Sequence, residues 1–442
     1  MSTECDLSTG ARRNEKRSTG NEQPVYMREG GGSRDTQASG GLLKLSQGII
    51  RRKKIFFKIY KHQSRRKTGK HGKAETMKFT IIRGKFLDAL KTVQNIVPGK
   101  ASMQILQNVH IEAADGKLVL MTTDLSMTVK NSVECDVEEP GKTTLPVKLL
   151  ALTIAKAAEG PVKVEVSADN LAVVSAGSAV FKIAGLPEAD FPKYAGNGDS
   201  FSISVPQTAL RELLRKTHYA AWQEEGRNGI RGVLMSLKDG KLTMVATDGR
   251  RLALAETEVD IPAGAETDIT LPIRSISELL RILGSSDSKD AVVYLRENYA
   301  CFAFGNVEFT TKLVADPYPD YRQVIPHDFA QSAVIDRQLF IEAIERASVM
   351  FIDSKNPTHL VFADNQLIVS SGTSELGEAR DIVPIKYAGE RIETSFDPVF
   401  LLEPLKAIDD NEITMEMNNG VMPFAMKCSI PFLYVIMPLR YS

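Results

Sequence analysis

The alternation of apolar and polar positions divides residues 77–442 into three passages with one order of elements. Each runs through a short strand, an amphipathic helix, a strand, and a second strand entered through a turn. The passages begin at Lys78-Phe79-Thr80, Phe201-Ser202-Ile203 and Ser332-Ala333-Val334, and the spacing predicts helices over 85–93, 207–217 and 337–348. Leu210, Leu213 and Leu214, and then Phe340, Ile341 and Ile344, recur at the interval that puts them on one helix face.

The self-similarity continues beyond the first helix. Residues 116–124 (GKLVLMTTD) and 240–248 (GKLTMVATD) are offset by 124 residues, and 365–371 (NQLIVSS) keeps the strand but loses the Thr-Asp ending. Residues 144–150 (TLPVKLL), 270–276 (TLPIRSI) and 395–402 (SFDPVFLL) each predict a second helix behind a strand, with proline at or beside the junction, where its fixed φ and missing N–H are tolerated. Each unit closes with a strand and a proline-bearing turn, at 181–194, 309–324 and 432–440. Polar steps at 195–200 and 327–331 read as linkers. The fold class expected is α+β: three repeated domains, near 77–198, 199–328 and 329–442, each with two helices against antiparallel sheets.

Charge adds an asymmetry. The chain balances 55 basic against 55 acidic residues, yet residues 1–76 carry 18 Lys+Arg against 7 Asp+Glu, leaving 37 against 48 for the rest. The chain therefore reads as a basic extension on an acidic body. Residues 1–48 are too polar to offset the entropy of ordering and are expected to be disordered. Residues 49–73 are strongly basic around Ile55-Phe56-Phe57, a composition suited to DNA or an acidic surface. Met77 opens a far more regular sequence, so the first 76 residues are expected to reflect an upstream misreading of the start codon.

Cys5, Cys135, Cys301 and Cys428 form no C-x-x-C pair, and no apolar run approaches the roughly 18 residues of a membrane span. The N-terminus lacks a secretory apolar core. A soluble cytoplasmic protein without membrane contact is expected. No phosphate-binding G-x-x-x-x-G-K, no G-x-S-x-G and no H-E-x-x-H occurs, and the six histidines never fall at ligand spacing. Neither catalytic residues nor a metal or cofactor is expected. Asp124 and Asp248 invite a general-base or metal reading, but Asp248-Gly249 between alternating strands is foremost a hairpin turn.

Two features point to binding. The chain ends in an apolar strand and turn, 434–442, where most chains turn polar. Packed beside the 247–252 hairpin and the 319–324 segment, it would build an apolar groove rimmed by arginines, the general form of a peptide site. Core packing alone would account for these residues equally well. Second, every helix of the acidic body carries basic residues: Lys85 and Lys91; Lys148 and Lys156; Arg211, Arg215 and Lys216; Arg274 and Arg281; Arg337 and Arg346; and Lys406. Six such faces in equivalent places suggest one positive surface that meets phosphates without reading bases.

Taken together, 77–80 (MKFT), 246–253 (ATDGRRLA), Phe191-Pro192, 319–322 (PDYR) and 437–440 (MPLR) resemble the bacterial sliding clamps, the β subunits of DNA polymerase III. The resemblance covers essentially all of 77–442. It implies a DNA clamp fold and a head-to-tail homodimer, a ring of six domains whose helices line a hole around duplex DNA, with no chemistry of its own. It places a protein-partner pocket on Ile230, Thr247, Gly249, Arg250, Arg251, Leu252, Pro319, Gln323, Val324, Val435, Met437, Pro438, Leu439 and Arg440. Arg250 and Gln323 stand where the best-known member has a histidine and an arginine. Lys100 matches a DNA-contacting loop residue, beside the helix residues above. The implied partners are the polymerase III catalytic subunit, the clamp loader, translesion polymerases and repair proteins, each with a Gln- and Leu/Phe-rich motif. Two rival readings remain: a monomeric peptide-binding scaffold, and a metal-dependent DNA-processing hydrolase built on Asp124 and Asp248, which would need further acidic ligands.

Overall fold

The computed structural model describes residues 76–439 apart from 101, 194–200, 223–231, 285–287, 350–356, 372–376 and 430. The expected disorder of the extension, the 195–200 linker, Ile230 and Arg440 lie outside the described residues.

The first domain runs β1 (Met77–Ile82), α1 (Arg83–Val93), β2 (Asn108–Ala114), β3 (Lys117–Thr123), β4 (Met127–Glu134) and β5 (Asp136–Glu139). It continues through β6 (Gly141–Pro146), α2 (Val147–Lys156), β7 (Pro161–Val166), β8 (Leu171–Ala176) and β9 (Ala179–Ala184). The second repeats the plan: β10 (Phe201–Pro206), α3 (Gln207–Thr217), β11 (Val233–Lys238), β12 (Lys241–Thr247) and β13 (Arg251–Glu258). Then follow β14 (Thr267–Leu271), α4 (Ile273–Ile282), β15 (Asp290–Leu295), β16 (Tyr299–Phe304) and β17 (Val307–Lys312). The third has β18 (Gln331–Asp336), α5 (Arg337–Ser348), β19 (Thr358–Ala363), β20 (Gln366–Ser371) and β21 (Arg380–Tyr387). It ends with β22 (Ile392–Phe396), α6 (Pro398–Ala407), β23 (Glu412–Met417), β24 (Phe424–Lys427) and β25 (Phe432–Ile436).

Each of these six helices leaves its strand without a loop. Pro146, Pro206 and Pro272 occupy the junctions of α2, α3 and α4, while Asp336 and Asp397 cap α5 and α6 by accepting the N–H of Leu339 at 2.8 Å and of Val399 at 2.9 Å. The first residue of the first helix in each domain reaches across to the second helix or to the segment that follows it. Arg83 donates to the carbonyls of Ile154 and Ala155, Arg337 to those of Leu405 and Asp410, and Gln207 to that of Ser288. Thus each helix pair is locked at its open end. Phe79, Phe86, Leu90, Phe302, Phe309, Phe340, Phe362 and Phe424 fill the cores beneath, each worth about 1.5–3 kcal/mol of burial.

The sheets cross the domain boundaries. One has the order β10-β15-β16-β17-β4-β3-β2-β6 and another β14-β11-β12-β13-β25-β24-β23-β18-β21-β20-β19-β22; the third, β5-β1-β7-β8-β9, belongs to the first domain. The last strand of each later domain therefore pairs with the hairpin strand of the domain before it. The register is the same at both joints: Phe309 faces Val129 as Tyr434 faces Ala253. Just past these pairs, Ser132 donates to the Asn306 carbonyl at 2.9 Å and Glu256 to the Pro431 carbonyl at 3.2 Å.

Candidate functional site

The joint between the second and third domains is built on the β12–β13 turn. Thr247 Oγ1 donates to the Arg251 carbonyl at 2.7 Å and accepts the Gly249 N–H at 3.1 Å, while Asp248 Oδ1 accepts the N–H groups of Arg250 and Arg251 at 2.9 and 3.1 Å. Gly249 has φ +85°, which a Cβ would strain. The first domain builds the same turn. Thr123 bonds Met127 and Leu125, and Asp124 Oδ1 accepts from Ser126 at 2.9 Å and Met127 at 2.7 Å. There the left-handed position is Leu125, at φ +75°. Both aspartates thus shape turns. Among the described residues no group of three or more His, Cys, Asp or Glu could hold a metal ion.

Arg251 anchors the joint. Its buried guanidinium donates to Asp248 Oδ2 at 3.0 Å, to Glu403 and to the Tyr219 carbonyl at 2.7 Å, and lies 4.0 Å from the Phe400 ring centre. Burial alone would lower its pKa; Tyr434, Glu403 and Asp248 outweigh that and hold it raised. Burial likewise raises the phenols of Tyr219 and Tyr434, and Tyr434 donates to the Phe400 carbonyl at 2.8 Å. This network fixes the turn against the third domain.

Around that anchor the structure gathers most of the pocket residues expected from the sequence. Leu252 pairs with Val435, and both join a buried cluster with Leu234, Val245 and Tyr321. Met437 donates its N–H to the Arg250 carbonyl at 2.9 Å, and Leu439 donates to Ser395 at 2.8 Å. Pro438 is buried, while the side chains of Val324, Met437 and Leu439 stay exposed beside the cluster. Pro319 and Gln323 are exposed on the preceding segment, where Gln323 donates to Asp320 Oδ2 at 3.1 Å. Arg250 stands in solvent 5.6 Å from the Phe400 ring centre. The two arginines of the rim therefore differ, Arg251 held inside the joint and Arg250 exposed to solvent.

Residues that the sequence did not assign to the pocket complete the joint: Leu234, Tyr219, Tyr318, Tyr321, Phe400 and Glu403. Tyr318 donates to the Val245 carbonyl at 3.2 Å, and burial raises its pKa. Its Tyr-Pro-Asp-Tyr setting was visible in the sequence; the long-range partners of Arg251 left no local signal.

The helices form one continuous row. α1 packs on α2, α3 on α4 and α6, and α5 on α6. Arg281 of α4 donates to the Thr92 carbonyl at 2.6 Å, which joins α4 to the end of α1. Lys85, Lys91, Lys100, Lys148, Lys156, Arg211, Arg274, Arg281, Arg346 and Lys406 are exposed. Arg215 is half-buried between Glu212 and Asp409, Lys216 is buried beside Glu212, and Arg337 bonds the end of α6.

A threefold repeat of paired helices on sheets that run across domain boundaries, with an apolar patch at one joint, defines a clamp-type scaffold. Residues 77–195, 204–320 and 322–440 match the family models of the DNA polymerase III beta subunit, N-terminal, central and C-terminal domains. A beta sliding clamp of Caulobacter vibrioides is 30% identical over 372 residues, covering 82% of this chain and 100% of that protein. One of Chlamydia trachomatis is 27% identical over 384 residues, covering 87% and 92%. The crystal structure of a Caulobacter crescentus beta sliding clamp superposes with a TM-score of 0.79 at 29% identity, over 84% of this chain and all of that one. The chain belongs to the DNA polymerase III beta subunit family, the beta sliding clamps. It is a non-catalytic processivity factor that works with DNA and a DNA polymerase.

Proposed function

We propose that two copies of this chain close head to tail into a ring around duplex DNA, and that the patch on Leu252, Val324, Met437 and Leu439 holds short apolar motifs of its partners. The polymerase III catalytic subunit, the clamp loader, translesion polymerases and repair proteins would share that patch in the cytoplasm. Ile230 and Arg440 belong to it by the resemblance.

The observation that carries this reading is the repeated strand register. Two last strands, β17 and β25, each find the hairpin strand of the preceding domain. β9 pairs only with β8, and the start of β21 pairs only with β20, among the described residues. Extending the same register sets Phe181 opposite the partner's Ala379, Val180 opposite the partner's Arg380 and Ala179 opposite the partner's Asp381. The Ile382 N–H, the counterpart of Ser132 and Glu256, is satisfied by Asp381 Oδ1 at 2.8 Å. It is therefore free to exchange that bond for a strand partner.

Apolar side chains flank both free edges: Leu152 and Val180 are 59% and 61% exposed on one, Ile382 48% on the other. Leu149 and Leu152 hold the helix positions of Phe400 and Glu403, which bind the preceding domain in the third repeat. A closed ring stays on DNA through topology, so its contacts can be weak enough to slide, and tethering raises the local concentration of a bound polymerase.

Sedimentation velocity tests the ring. A dimer is expected for the full chain, and a folded monomer for Phe181→Asp or Ile382→Asp. A monomeric wild-type chain at micromolar concentration, or dimers that ignore both substitutions, would contradict the assembly.

A further inference from the structure

We infer that duplex phosphates rest on the helices of the first two domains and not on those of the third. This rests on the ring reading and adds a division of the lining to it. The α1 and α2 segments carry five basic residues against one acidic, and α3 and α4 five against two. The α5 and α6 segments carry three against three. Because a Debye length at physiological salt is about 8 Å, a phosphate beside the third pair meets no net charge.

The difference lies in the cations that have no carboxylate partner. In the third domain Arg346 lies 2.6 Å from Asp381 and 3.4 Å from Glu342, Lys406 lies 2.7 Å from Glu345, and Arg337 is held by two carbonyls. In the first two domains seven of the ten helix cations are also paired, Lys85 with Glu134, Lys91 with Asp88 and Arg274 with Asp124 among them, but Lys148, Lys156 and Arg211 are exposed, and among the described residues no carboxylate lies within ion-pair distance of them. Lys100, on a loop of the first domain, is a further exposed cation. A free lysine or arginine can replace a phosphate counterion directly. A paired one must first share its charge with the carboxylate it already holds. In a two-fold ring the free cations form two facing arcs, separated by two neutral ones.

The test compares two variants of the full chain: Lys148→Gln with Lys156→Gln and Arg211→Gln, and Arg346→Gln with Lys406→Gln. Binding of each to a linear duplex is measured by fluorescence anisotropy over a salt series. The triple variant should flatten the slope of log K against log salt by about 0.9 per lost contact, the double variant should keep the wild-type slope, and arginine at 148 and 156 should restore it. Equal flattening by both variants, or none by the triple variant with its thermal unfolding unchanged, would overturn the division. Retention of the loaded wild-type protein on nicked circular DNA reports the ring itself. If it leaves circles as fast as linear DNA, the ring reading fails whatever the slopes.

Discussion

The backbone N–H of Met437 donates to the carbonyl of Arg250 at 2.9 Å, tying the last strand of the third domain to the hairpin turn of the second. One joint earlier, Lys312 donates to Ser126 at the same distance, and Val314 to Thr270 as Leu439 does to Ser395. The two joints share a backbone but not a surface. Where the later one presents Gly249, Met437 and Leu439, the earlier presents Leu125, Lys312 and Val314, with Arg274 3.0 Å from Asp124 Oδ2. One backbone plan thus supports an apolar patch at one joint and an ion pair at the other.

Peptide binding should follow that apolar patch. Met437→Asp or Val324→Asp is expected to weaken a Gln-Leu-x-Leu-Phe-type peptide by about 2 kcal/mol, roughly thirtyfold in Kd. Calorimetric titration checks this, with dimerisation by sedimentation as the control. Unaltered affinity in a dimeric variant would move the site elsewhere.

Arg251 and Arg250 are adjacent but should differ sharply in stability. Arg251→Met strands Asp248 and Glu403 at a buried joint and is expected to cost about 3 kcal/mol in urea unfolding. Arg250→Met, on an exposed side chain, should change stability by less than about 0.5 kcal/mol. Similar losses from both would mean that the Arg251 network does not hold the joint.

The repeated plan of strand, helix and hairpin was legible because local signals specify it: the 124-residue offset of two hairpins, the prolines at 146 and 272, and the helical spacing of Leu210, Leu213 and Leu214. The pairing of β17 with β4 was not. Its contacts join residues such as Lys130 and Glu308, 178 positions apart, and strand edges carry no record of their partner. The pocket was legible mainly as a family motif; its supports, Phe400 and Glu403, come from a helix whose sequence reads only as core and solvent faces. Basic residues on six helices were also plain, but their meaning depends on partners. The carbonyls bound by Arg337 and the carboxylate beside Lys406 emerge only in three dimensions.

His110 gives the first domain a pH dependence. The ring is buried against Phe191, 5.3 Å between centroids, with Nε2 3.6 Å from Glu188. Burial outweighs the pull of Glu188 and Glu112 and lowers its pKa from the usual 6.5. The folded chain then binds fewer protons than the unfolded one, so the stability contributed by neutral His110 is present above that value and lost as pH falls below it. His110→Gln should make the urea midpoint fall less steeply from about pH 7 to about pH 5. An unchanged slope would place the titrating group elsewhere.

Encirclement is tested most directly by topology. The protein is loaded onto nicked circular DNA with a clamp loader and ATP, the salt is raised, and the circle is then cut once. Ordinary contacts to 6–10 phosphates would lose roughly 10³–10⁵ in affinity between about 50 and about 200 mM salt, whereas a closed ring is expected to remain on the circle through the salt step and leave rapidly after the cut. Equal loss from circular and linear DNA as salt rises would contradict the ring.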